Sequence, residues 1–210
     1  MKERVGILGG TFDPPHLGHL VLAEYAAEAL GLARVLFVPA ADPPHKRGAV
    51  RTPIAFRLPM LEQAIINRDS FAISRIDIDR PGPHYAVDMV HLLQADMPES
   101  DLYFLMGSDS FHDLPSWNRP ADLVSACTPV VLDRPGREWT PAMHDDILPG
   151  LSERIVTIKF PRLGISSTEV SRRVQAGLSV RYLVPDAVLD FIAQHGLYQN
   201  ANQPSSGTLP

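Results

Sequence analysis

Two histidines, His16 and His19, stand three residues apart in the stretch GILGGTFDPPHLGHL, behind a Gly9–Gly10 pair and a Pro14–Pro15 pair. This is poor material for a stable core. Gly9 and Gly10 close a short apolar run without side chains, which lets a ligand approach the backbone and leaves amide N–H groups to face it. Pro14 and Pro15 set φ for entry into a helix. His16 and His19 then share one face of the first turn, where backbone N–H groups and the helix dipole favour an anion. Gly18 within that turn costs about 1 kcal/mol relative to alanine, a cost that a flat nucleotide base lying against the helix would explain. The combination suits phosphate better than the competing reading, a tight strand–helix connection with two exposed histidines. The dinucleotide pattern GxGxxG and the Walker pattern GxxxxGK[ST] are absent here, and no HExxH-like spacing supplies a third zinc ligand, so no protein-held metal is expected.

Other loops carry residues of matching type. His45 and Lys46 in DPPHKRG place a cation beside the first loop. In MGSDS, Gly107 makes a turn after a buried run, and Asp109 could accept hydrogen bonds from ribose hydroxyls or cap a helix. Trp117 in LPSWNRP offers a stacking platform for a flat ring, or covers the core. Ser166 and Glu169 in GISSTE form a capping-box pattern, and the same helix start would suit a second phosphate.

Elements must bring these loops together. Apolar runs predict strands at Val5–Leu8, Val35–Pro39, Phe71–Ile78, Leu102–Met106, Val130–Leu132 and Ile155–Phe160. Longer amphipathic segments predict helices at Leu17–Leu30, Ile54–Asn67, Tyr85–Met97, Ala121–Ala126, Ser167–Ala176 and Asp186–His195. The alternation is that of an α/β protein with a doubly wound, Rossmann-like parallel sheet, helices on both faces and further helices at the C-terminus. Ligands in such sheets bind beyond the carboxyl ends of the strands, which is where the loops above fall. In the C-terminal run YLVPDAVLDFIAQHGLY, Pro185 suits a first helical turn and Gly196 a C-terminal cap, a structural reading.

Composition bounds the rest. A chain of 210 residues, 45% hydrophobic and 20% charged, can bury one sizeable core, so a single domain is expected over 1–198, with Gln199–Pro210 a disordered tail. A net charge of −5 argues against a protein that grips nucleic acid through its overall charge. The lone Cys127 fits a reducing compartment and reads as a small core residue. No run approaches the ~18 apolar residues of a membrane span, so a cytoplasmic protein without membrane partners is expected.

GGTFDPPHLGHL resembles the HxGH nucleotidyltransferase motif, and the chain resembles the bacterial nicotinate mononucleotide adenylyltransferases from Met1 to Tyr198. VPAADPPHK, DRPGPHYAVDMV, FLMGSDSF, LPSW, RPG, GISSTEV and YLVPDAVLDFIAQHGLY occur in the family's order. The resemblance implies transfer of AMP from ATP to nicotinate mononucleotide in NAD biosynthesis, with His16, His19 and Lys46 in catalytic roles. It implies that Gly9, Gly10, Thr11, Gly18, Gly107, Asp109, Ile165, Ser166, Ser167 and Thr168 meet ATP. It also implies that Phe12, Tyr85, Ala86, Trp117 and Arg134 meet the mononucleotide, that Mg²⁺ arrives on the ATP phosphates, and it leaves a homo-oligomer open. Two departures stand out. Ser171 occupies the arginine place of the family's ISSTxxR segment, so Arg172 is expected to wrap across the helix and take over part of the ATP contact. His84 and Ala86 replace the family's frequent serine and threonine in PHYAVD, which leaves backbone N–H groups near Ala86 to recognise the pyridine. The rival readings are a phosphopantetheine or nicotinamide mononucleotide adenylyltransferase, and a nucleotide-binding sensor without catalysis.

Overall fold

The computed structural model describes residues 2–41, 51–133, 138–161 and 163–199. Lys46, Arg134 and all but the first residue of the expected tail lie outside these. Six parallel strands run β1 (Glu3–Gly10), β2 (Arg34–Pro39), β3 (Phe71–Ile73), β4 (Ser100–Gly107), β5 (Thr128–Leu132) and β6 (Val156–Ile158). Their spatial order is β3-β2-β1-β4-β5-β6, so the order reverses between β1 and β4. That junction is where a doubly wound sheet opens a crevice at its carboxyl end. Gly9 and Gly10 end one of the two strands and Gly107 ends the other.

Eight helices connect and flank the described strands: α1 (Leu17–Leu30), α2 (Ile54–Ile65), α3 (Ala86–Asp96), α4 (Ser108–Asp113), α5 (Pro120–Ala126), α6 (Leu151–Arg154), α7 (Ser167–Gln175) and α8 (Asp186–Gln194). Strand alternation sorts the side chains into two layers. Val5, Ile7, Leu102, Phe104 and Met106 pack with α3 and α5 residues on one face. Leu8, Phe37, Leu105 and Val130 pack with Leu22, Ala23 and Ala26 of α1 on the other. A third cluster joins Met60 of α2 to Val170, Val188 and Ile192 of the C-terminal helices. Cys127 is buried in the first layer, where burial pushes its thiol up to about 12.

Three expectations are corrected. β3 stops at Ile73, not Ile78, because the chain turns at once: the Ile78 N–H donates to the Arg75 carbonyl at 2.7 Å. The alternating IDID that imitated a strand instead buries Asp77. β6 is limited to Val156–Ile158: it is the last strand of the sheet, and among the described residues it pairs with Val130–Leu132 of β5 alone. MGSDS is not an open loop, since α4 starts directly on Gly107.

Candidate active site

The first loop is held from several directions. Gly10 accepts the Ala40 N–H at 2.9 Å, tying the exits of β1 and β2. Phe12 takes a left-handed φ of 47° and turns its ring into the core, where it is 1% exposed and meets His19 edge-on at 4.9 Å. His16, the residue before α1, is extended, and its N–H donates to His19 Nδ1 at 3.2 Å. Because Nδ1 accepts, the neutral His19 ring carries its proton on Nε2. The two imidazoles stack with centroids 3.7 Å apart.

Gly18 has a specific reason to lack a side chain. A Cβ there would lie 2.9 Å from His16 Nδ1 and 3.4 Å from the Ile165 carbonyl oxygen. The space is taken by the histidine itself and by the chain leading into α7. Amides of the first turn are also partly spent inside the protein: Leu17 N–H donates to Leu183 O, and His19 N–H to His16 O, both at 2.9 Å. The anion-seeking character of this helix start therefore rests more on the imidazoles than the sequence suggested.

α7 starts beside it. Ser166 Oγ accepts the Glu169 N–H at 3.2 Å, and Ser167 Oγ donates to the Pro14 carbonyl at 2.9 Å across 153 residues of sequence. Ile165, Ser166 and Ser167 are thus brought to the His16–Gly18 turn, with Thr168 exposed in the same turn of α7. Arg172 does not wrap toward this helix start. Its guanidinium donates twice to Glu169, Nε and Nη2 both at 2.8 Å, and holds that carboxyl below its usual range. Arg173 Nε donates to Ser179 O at 2.9 Å.

A cavity of about 730 Å³ opens at the β1/β4 junction. Its lining includes Gly9, Gly10 and Thr11 from the end of β1, Tyr85 and Ala86 at the start of α3, Asp109 of α4, and Trp117. Tyr85 and Ala86 are the cap and first residue of α3, so the backbone start of that helix faces the cavity. Trp117 is half-buried and stands edge-on to Phe104 at 5.9 Å. Its loop is anchored by an ion pair from Arg119 to Asp88 of α3. Gly107 is the cap of α4, which leaves Asp109 exposed in the first turn.

The cavity wall also holds Asp77, which sequence reasoning missed, together with His84. Asp77 Oδ1 accepts from Arg80 Nε at 2.9 Å and Nη2 at 2.7 Å, and burial still raises its carboxyl despite that partner. His84 donates through Nε2 to the Arg80 carbonyl at 3.1 Å. The i,i+3 spacing of Asp77 and Arg80 was a visible signal, hidden by the strand-like alternation around it.

The cytidylyltransferase-like family profile matches residues 7–173. A protein from Thermomicrobium roseum, named "Probable nicotinate-nucleotide adenylyltransferase", is 45% identical over 197 residues, covering 94% of this chain and 92% of its own. One of the same name from Herpetosiphon aurantiacus is 44% identical, covering 93% and 98%. The chain belongs to the nicotinate-nucleotide adenylyltransferases. A Plasmodium falciparum nicotinic acid mononucleotide adenylyltransferase solved with NaAD shares the fold at a TM-score of 0.77 and 19% identity, covering 93% of this chain and 97% of that one. In this adenylyltransferase, Gly9, Gly10, Thr11, Tyr85, Ala86, Asp109 and Trp117 line the cavity, whereas Gly18 and Ile165–Thr168 meet at the start of α1 outside that lining. Among the described residues no helix is long and apolar enough to cross a membrane.

Proposed function

We propose that the enzyme joins ATP to nicotinate mononucleotide across the β1/β4 crevice, giving deamido-NAD and pyrophosphate, with the α1 start as the place of transfer. A 5′-phosphate oxygen of the mononucleotide forms a bond to the α-phosphorus of ATP, and the bond from that phosphorus to the bridging oxygen breaks as pyrophosphate leaves. The second pKa of a phosphate monoester lies near ~6, so the nucleophile is largely ionised at neutral pH and needs no general base. The protein's task is to align two polyanions and stabilise charge on the transferring group. His19 Nε2–H and His16 are suited to that charge, together with Lys46. Gly9, Gly10, Thr11 and Gly18 take ATP with Gly107, Asp109 and the residues from Ile165 to Thr168.

Tyr85, Ala86 and Trp117 would hold the pyridine, backbone N–H groups meeting its carboxylate and the indole its face, with Phe12 and Arg134 on the mononucleotide side. The donors at this rim, amides and imidazoles, are anion-seeking. A divalent cation fits there as the partner of phosphate oxygens, and we assign Mg²⁺ to the ATP complex, where it would neutralise phosphate charge. The reading treats 1–198 as the catalytic unit, and places it in the cytoplasm.

The observation that carries this is the one cavity lined together by Gly9, Gly10, Thr11, Tyr85, Ala86, Asp109 and Trp117. Pyrophosphate release from ATP should be measured with nicotinate mononucleotide, nicotinamide mononucleotide and phosphopantetheine side by side. The nicotinate substrate is expected to have the highest kcat/KM. Equal values, or a preference for the amide, would show that His84 and Ala86 have changed the pocket; release with phosphopantetheine alone would overturn the assignment.

A further inference from the structure

Arg57, on the second turn of α2, is one of the largest fully buried side chains of the protein, at 2% exposure. Its guanidinium is spent on backbone carbonyls of three separate segments. Nη1 donates to Thr11 O at 2.7 Å and to Ala40 O at 3.1 Å, Nε to Thr52 O at 2.8 Å, and Nη2 to Ala41 O at 3.5 Å. Thr11 and Ala40 line the cavity. Beside this fork, Asp13 accepts the Thr52 N–H at 3.0 Å on Oδ2 and the Tyr198 hydroxyl at 2.6 Å on Oδ1. Tyr198 arrives from the far end of the chain, where its ring packs against the C-terminal cluster.

A buried cation is an expensive way to hold a fold together. Burying it disfavours the charged form, and apolar side chains of similar volume often stabilise as well or better. Here burial lowers the Arg57 guanidinium below its ordinary value, and the Asp13 charge opposes that shift. A planar fork is useful where several carbonyls must be fixed relative to one another, which an apolar side chain or a lysine cannot do. The carbonyls in question belong to the first loop, to the exit of β2 and to the segment that enters α2. The next residue after Asp13, Pro14, is held from the other side by Ser167.

We propose that Arg57 is a positioning residue for adenylyl transfer, and that Tyr198 assists it through Asp13. Together they fix the path of the first loop and with it the presentation of Thr11 and the His16–His19 pair. The C-terminal segment, which the sequence presents as structural, thereby contributes a group to the setting of the active site. The inference rests on the adenylyltransferase reading for its kinetic consequence.

The test compares Arg57→Lys, Tyr198→Phe and, as a control, Val188→Ala, which trims the C-terminal cluster without removing a hydrogen bond of this network. Steady-state kcat and KM for ATP are measured per folded enzyme, with Tm and with ATP affinity by titration. Arg57→Lys should lower kcat/KM about thirtyfold, mostly in kcat. Tyr198→Phe should lower it about threefold to tenfold with little change in Tm, and Val188→Ala should lower Tm while kcat/KM per folded enzyme stays unchanged. A fully folded Arg57→Lys enzyme with normal constants would overturn the proposal. Equal losses per folded enzyme in Tyr198→Phe and Val188→Ala would also overturn it, by reducing the network to stability alone. Should Arg57→Lys not fold, Tyr198→Phe decides: normal constants there overturn the proposal. A native protein that releases no pyrophosphate defeats the functional reading instead. ATP affinity then judges the positioning claim, with a loss in Tyr198→Phe supporting it and no change overturning it.

Discussion

α7 starts on Ser166, whose hydroxyl oxygen takes the Glu169 N–H, whereas α1 starts on His16, whose N–H is taken by the His19 ring. Serine is among the preferred helix caps; histidine is not. Ser167 then straps α7 to Pro14, and Glu169 engages Arg172, so the side chains of the first turn of α7 are tied down within the protein. At α1 the first turn keeps a stacked imidazole pair, with Phe12 behind one ring and Gly18 making room for the other. Two helix starts that both look like phosphate sites in the sequence therefore do different work. α7 straps the first loop through its side chains, and α1 starts on a histidine pair whose rings close on each other, with His16 buried.

The largest effect that separates them is on chemistry. His19→Ala should lower kcat by about 100-fold or more, the loss of roughly 3 kcal/mol of transition-state stabilisation, while the protein stays folded. A variant with normal kcat would move the reaction away from α1. Ser167→Ala breaks the strap to Pro14 and should act through position, raising KM for ATP about fivefold with a smaller change in kcat. An unchanged KM would mean that α7 does not steer the first loop.

Ser166→Ala removes the hydroxyl cap and leaves in place the backbone of the Ile165–Thr168 segment assigned to ATP. It should cost about 1 kcal/mol, read as a fall in Tm of about 2–4 °C, with kcat nearly intact. A tenfold fall in kcat there would erase the distinction between the two starts. The smallest effect is expected from Arg172→Ala, because Arg172 must release Glu169 before it can touch a phosphate. kcat/KM for ATP should change less than about threefold; a tenfold loss would show that the arginine does exchange partners and stands in for the one missing at Ser171.

The order of strands and helices was legible because apolar alternation and helical spacing are local. So was the gathering of Gly9, Asp109, Tyr85 and Trp117 at one end, since a doubly wound sheet sends every such loop to the carboxyl side. The reason for Gly18 was not, because it depends on where the His16 ring folds back and where Ile165 passes. Nor was the engagement of Arg172 by Glu169, although their i,i+3 spacing permitted it. Asp77 was concealed by an alternating pattern that the turn at Arg75 cuts short. Arg57 and Tyr198 were the least legible, since an arginine within an apolar helix and a tyrosine near the chain end acquire meaning only when three remote segments meet.

The central claim is that the histidine pair at α1 and the surrounding backbone hold two substrates for one direct displacement at the α-phosphorus. Turnover of ATP made chiral at that phosphorus by a sulfur substitution, followed by configurational analysis of the dinucleotide, tests it most directly. A single in-line attack predicts inversion. Retention of configuration would contradict the account, because it requires a second displacement through an adenylylated group of the enzyme.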